Sequence, residues 1–361
     1  MSNFTVGLAI IGGLLLAAVI AHSTWTSRRN APRMPQPEPP PDAAPPVPQI
    51  EPTLDGAVFT AEPGDAEDPV LGTDGGPLPP MAPQVLPRRA GLDALIDVIV
   101  PVELDGPVSG DAVLAALPHT RRAGSKPIAV EGLNERAGQW EPPTAGHRYG
   151  ALQIGVQLAN RTGALNEIEF SEFVVKAQAF CDAINGMPEF PDMLDAVARA
   201  RELDQFASAH DAQLSFTLRA RHAAWSPGYV QQHAARLGFV AGALPGRMVL
   251  GTAVTGAPAM LVLSFDTQAA LSDDPAQSAI RQVALTLDVP HVDRAEAPFE
   301  RMREAAAALA AAMEGVVTDD NGQPIRAEAL DGIADDLQQL YDALDARGLS
   351  AGTAVARRLF S

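Results

Sequence analysis

Cysteine is almost missing from this chain. Its 361 residues hold one, Cys181, so no intrachain disulfide and no cysteine-built metal site can form. The absence of disulfides fits a reducing compartment. Cys181 falls on the predicted helix EFSEFVVKAQAFCDAIN, where a small buried hydrophobe is the ordinary reading. Aromatic residues are also few, at 5%. Basic charge is in deficit: 26 Lys and Arg against 44 Asp and Glu leave a net charge of −18. A surface that acidic repels phosphate backbones, which argues against nucleic acid as a partner.

The motifs of common enzyme chemistry are absent too. There is no Walker A loop, no GxGxxG after a strand, no GxSxG and no HExxH. The seven histidines (His22, His119, His147, His210, His222, His233 and His291) show no ligand spacing with carboxylates nearby. Asp319 and Asp320, in VVTDDNGQP, read as a solvated turn before a helix. These absences point away from an enzyme, a cofactor, a metal and a small-molecule substrate, and toward a protein that works by binding.

The N-terminus lacks charge altogether from Ser2 to Ser27. The run from Phe4 to Trp25, FTVGLAIIGGLLLAAVIAHSTW, is long enough as a helix to cross a hydrocarbon core of ~30 Å. A cleaved signal peptide would carry positive charge before a shorter apolar run, whereas Arg28, Arg29 and Arg33 follow this one. Trp25 stands where an aromatic meets the headgroups, and the arginines after it hold that end in the cytoplasm. Residues 1–29 are therefore expected to be a single transmembrane anchor with its N-terminus outside. His22 reads as a tolerated boundary residue.

Proline is concentrated next. Residues 30–90 hold 17 of the 32 prolines, with Glu51, Asp55, Glu62, Asp65, Glu67, Asp68 and Asp74 among them. Such a segment buries too little apolar surface to offset its ordering entropy, so a disordered linker is expected. As coil it spans roughly 40 Å.

Apolar alternation begins at Leu95 and continues to the C-terminus. Strands are predicted at 95–103, 126–134, 149–160 and 213–220, and at RMVLGTA, PAMLVLSFD, QVALTLDVP and GVVTDD. Helices are predicted at SGDAVLAALP, 167–185, 192–208, 298–314 and 327–347. Another is SPGYVQQHAARLG, with Ser226 as N-cap and Pro227 at the first helical position. The series divides into a first half, 91–210, and a second, 211–361. Phe170, Phe173, Ala177, Phe180 and Ile184, closed by Gly186, share their offsets with Phe299, Met302, Ala306, Leu309 and Met313, closed by Gly315. The expected fold is α+β: a split β-α-β unit, duplicated, with helices on one face of a mainly antiparallel sheet.

The order of these segments resembles the ZipA family of cell division proteins. WTSRR at 25–29 carries the resemblance just past the apolar run. PAMLVLSFD, the strand ending DVP at 288–290, PFERMREAAAALAAAMEG and VVTDDNGQPI carry it in the last 150 residues. The resemblance implies an inner-membrane protein of the division site whose cytoplasmic domain binds the C-terminal tail of FtsZ, in a shallow apolar groove on the sheet face opposite the helices. Residues 92–210 have no counterpart in single-domain members of that family.

On strand 213–219 Leu214, Phe216 and Leu218 alternate toward the core, leaving Ser215 and Thr217 on the groove side. Likewise Val283, Leu285 and Leu287 turn inward, leaving Ala284 and Thr286 outward. Leu244, Met260 and Val262 are the apolar candidates for that face, with Met248 if the register differs. An ordinary solvated face fits the same pattern, and which half carries a groove stays open. The competing function is an envelope structural protein with its large domain outside. The arginines after the apolar run and the lack of an aromatic cluster for sugar stacking speak against it.

Overall fold

A computed structural model describes residues 33–35, 91–254, 256–272, 278–319 and 321–361. The anchor segment with Phe4, Trp25, Arg28 and Arg29, and the proline-rich stretch 36–90, lie outside the described residues. No helix among the described residues is long and apolar enough to cross a membrane.

The first half is built from β1 (Asp97–Leu104), α1 (Gly110–Ala116), β2 (Lys126–Asn134), β3 (Arg148–Gln157), α2 (Glu167–Ala183), β4 (Gly186–Pro188) and α3 (Met193–His210). The second is built from β5 (Gln213–Ala220), α4 (Pro227–Ala235), β6 (Arg247–Leu250), β7 (Leu261–Ser264), α5 (Thr267–Leu271), β8 (Gln282–Asp288), α6 (Pro298–Ala312), β9 (Gly315–Thr318), α7 (Ala327–Ala346) and α8 (Ala354–Leu359). The chain is thus mixed α+β with antiparallel sheets, as the alternation implied.

Local chemistry sets the helix starts. Asn166 and Glu169 form a reciprocal capping box at α2. Ser226 accepts from the amide of Tyr229 at the start of α4, with Pro227 behind it. The ends of α2 and α6 also match. Asn185 and Glu314 take the left-handed conformation, at φ 55° and 51°, and the next residue, Gly186 or Gly315, opens β4 or β9. A side chain at Gly186 would meet Val102 Cγ1 at 2.6 Å, so only glycine lets the strand approach so closely.

The two sheets repeat one order. In the first, β2-β3-β1-β4 are neighbours; in the second, β7-β8-β5-β9 are, all paired antiparallel. The second sheet extends beyond β7 through β6 to the short strand Val240–Ala241. Phe170, Phe173, Ala177, Phe180 and Ile184 are buried, as are Phe299, Met302, Ala306, Leu309 and Met313. Each helix thus turns its apolar stripe into a core; Phe299 meets Phe216 of β5 edge-on at 6.3 Å.

Charged contacts join the halves. Arg161 pairs with Asp211 at 2.7 Å and with Asp288 at 2.8 Å, and these two carboxylates hold its guanidinium above the ordinary arginine pKa. Arg358 of α8 forms a fork with the buried Asp97 of β1, at 2.6 and 2.9 Å. Burial raises the Asp97 carboxyl above its usual value, although Arg358 pulls the other way.

Candidate functional site

A sheet with helices on one side leaves its other side for binding, and the two halves differ in what that side offers. In the first half the chain covers its own face. Ile99 and Ala129 both lie opposite Gly155 in the ladder, and a Cβ on Gly155 would meet Leu92 Cδ2 at 2.6 Å. A Cβ on Gly91 would sit 2.4 Å from Glu131 Oε1. Glu131 is buried here, accepting from Gln153 Nε2 at 2.8 Å. Residues 91 and 92 therefore run across this face.

The second sheet is open on the corresponding side. Direct cross-strand neighbours share a face, so the pairs Val240–Val249, Val249–Val262, Val262–Thr286 and Thr286–Ser215 trace one row across it. A second row runs Arg247, Ser264, Ala284, Thr217 and Thr318. Ser215 and Val240 are exposed, while Val249, Val262, Thr286, Ala284 and Thr217 are half-buried. The Thr286 hydroxyl donates to the carbonyl of Val262 at 3.3 Å, tying adjacent strands together. Beside the second row, Thr217, Ser264, Phe265, Ile280 and Ala284 line a depression of about 340 Å³. The face is apolar toward Val240 and hydroxyl-rich toward Ser215.

The structure brings Ser215, Thr217, Val262 and Thr286 onto one surface, as the alternation implied. Met260, Met248 and Leu244 lie elsewhere. Met260 is 1% exposed. It precedes β7, which begins at Leu261, so strand alternation does not set its direction. Met248 is buried opposite Leu263, on the core side. Leu244 is exposed in the turn between Ala241 and Arg247, off the sheet. Val240 and Val249 are the residues sequence reasoning missed. Placing Met248 inward would have turned Val249 outward by the period of two.

Arg33, one of the three arginines that follow the apolar run, is paired with Glu314 in the folded unit. No group of three or more His, Cys, Asp or Glu residues that could hold a metal occurs among the described residues.

Comparison with known proteins locates the relationship in this same half. None of the curated proteins matches the chain. Residues 262–336 match the family model described as ZipA, C-terminal FtsZ-binding domain. The matched stretch runs from Val262 on the open face through β8, α6 and β9 into α7. Over residues 262–336 the chain is similar to the C-terminal FtsZ-binding domain of ZipA.

Proposed function

We propose that this chain is a membrane-anchored adaptor of the bacterial division ring, which binds the C-terminal tail of FtsZ on the open face of its second sheet and so holds FtsZ filaments at the inner membrane. The observation that carries this reading is the overlap of that face with the ZipA-type match at 262–336, which takes in Val262, Ser264, Ala284, Thr286 and Thr318. The first half supports it by contrast, since Gly91 and Leu92 lie across its equivalent face. The uncharged run from Phe4 to Trp25 supplies the anchor, and Arg28 and Arg29 place the folded part in the cytoplasm. The shared strand order and the matched ends of α2 and α6 support descent of the halves from one β-α-β-β-α-β unit, of which the second keeps the binding role.

Magnitudes limit the affinity. Covering the still-open parts of Val240, Val249 and Val262 contributes about 3 kcal/mol in all. Micromolar binding needs ~8 kcal/mol, so main-chain and polar contacts along Thr286, Ser215 and Thr217 must supply much of it. Reconstituting the full chain in lipid vesicles tests the whole reading. FtsZ should co-float with these vesicles, and FtsZ lacking its tail should not. Equal flotation of both forms would overturn the proposal, and so would activity only from a periplasmic reporter fused after Ser361.

A further inference from the structure

Three residues from the far side of the proline-rich stretch lie on the folded unit. Arg33 forms a parallel bridge with Trp225, which itself bridges Ile280 in antiparallel fashion. The amide of Arg33 donates to the carbonyl of Ala224 at 2.7 Å, and its carbonyl accepts from the amide of Ser226 at 2.9 Å. Both of those groups belong to buried residues. That burial is with the segment in place; on its release these two groups would turn to water for their hydrogen bonds. The Arg33 guanidinium pairs with Glu314 and also bonds the Tyr229 side chain, which hold it above its ordinary pKa. Pro35 Cγ lies 3.4 Å from where a Cβ of Gly228 would stand, an ordinary contact distance that puts the proline ring beside the start of α4. Met34 between them points to solvent, 66% exposed.

We infer that the Ala224–Ser226 edge, with Gly228 and Glu314, is a docking site for a short extended Arg-x-Pro segment, and that its occupant is this chain's own Arg33–Pro35. Docking closes residues 36–90 into a loop that starts and ends on the same folded unit, because Gly91 is held there by Arg358. A segment tethered through such a loop has an effective concentration on the order of millimolar. A contact of only millimolar intrinsic affinity is then about half closed, and small changes shift it. On the anchoring function proposed above, the consequence is a tether of two lengths. Docked, seven residues stand between Trp25 and Arg33, a span of at most ~28 Å. Released, the 55 residues from 36 to 90 add their full reach, roughly 40 Å as coil.

The test needs neither FtsZ nor a membrane reading. Full-length chain in detergent carries Pro35→Cys with Gly228→Cys, plus an inserted protease site near residue 60, and is oxidised with glutathione disulfide. Cys181 does not compete, since it is buried and its thiol pKa is pushed up to about 11. After cleavage the N-terminal piece should stay attached on a non-reducing gel and separate on reduction. The bond should form at least tenfold faster than in a Pro35→Cys, Gly332→Cys control, whose second site faces open space. Glu314→Arg should slow it, and Arg33→Glu with Glu314→Arg should restore it. In the otherwise native chain, Arg33→Glu should speed hydrogen exchange at the Ser226 amide. Equal bond formation in both cysteine pairs, or unchanged exchange at Ser226, would overturn the inference.

Discussion

Replacing Arg358 by Met should cost this protein about 3 kcal/mol of stability at neutral pH, and much less in acid. Asp97 is fully buried on β1 and depends on three groups: Arg358 Nη2 at 2.6 Å, Arg358 Nη1 at 2.9 Å and the Asp93 amide at 2.8 Å. Removing one partner of a buried pair typically costs 3–5 kcal/mol, because the other charge stays without compensation. Here the cost is capped, since the carboxylate can take up a proton instead. Its folded pKa already lies above the ordinary aspartate value of 3.8, with burial the largest cause. The native state therefore holds that proton more tightly than the unfolded chain, and Asp97 lowers stability progressively as pH rises from 3.8 through its folded pKa. Without Arg358 that pKa climbs further, so the gap between wild type and variant should widen from pH 4.5 to pH 7. Urea melts at the two pH values read this directly. Adding Asp97→Asn to the variant should recover most of the loss at pH 7. A deficit below 1 kcal/mol at pH 7, or one that does not change with pH, would refute the reasoning.

Other expectations follow from single sites. Met260→Glu places an unpaired carboxylate where a 1%-exposed side chain now sits, and thermal melts should show a loss of at least ~3 kcal/mol. Tyr341→Phe should be neutral or stabilising by up to about 1 kcal/mol, because the buried Tyr341 hydroxyl has no hydrogen-bond partner among the described residues; a clear loss in chemical melts would mean that the hydroxyl is bonded. The Arg33–Glu314 contact should weaken in acid. Arg33 depresses the Glu314 carboxyl pKa below 4.5, so its contribution is complete above that pH and lost as pH falls through the depressed value. Exchange at the Ser226 amide, followed from pH 6 to pH 3 and corrected for intrinsic rates, should show that release.

Much of the fold was legible because it rests on period. The strand 126–134 and the helix starting at Pro227 stand where alternation and capping residues put them. The shared offsets of α2 and α6 anticipated the common strand order of the two halves. Short elements escaped. The helix Ala354–Leu359 is under two turns long, and its Arg358 is held by Asp97 from 261 positions away, a pairing that no local pattern encodes. The open face was legible in part for a related reason. On β5 and β8 a long unbroken alternation fixed the faces of Ser215, Thr217 and Thr286. β6 and β7 are only four residues each, and beyond the end of such a strand period ceases to constrain direction. Met260 shows this, one residue outside β7. Arg33 shows a further limit: its charge was readable, but a bridge to Trp225 across 191 intervening residues was not.

The central claim is that the open face of the second sheet takes the FtsZ tail. Isothermal titration of residues 91–361 with a synthetic FtsZ C-terminal peptide tests it most directly, comparing wild type with Val262→Glu and with Ile168→Glu as a control on an exposed helix position. The account predicts one peptide per chain, binding by wild type and the control alike, and none detectable for Val262→Glu although its melting curve stays near wild type. Undiminished binding by a folded Val262→Glu protein would contradict it.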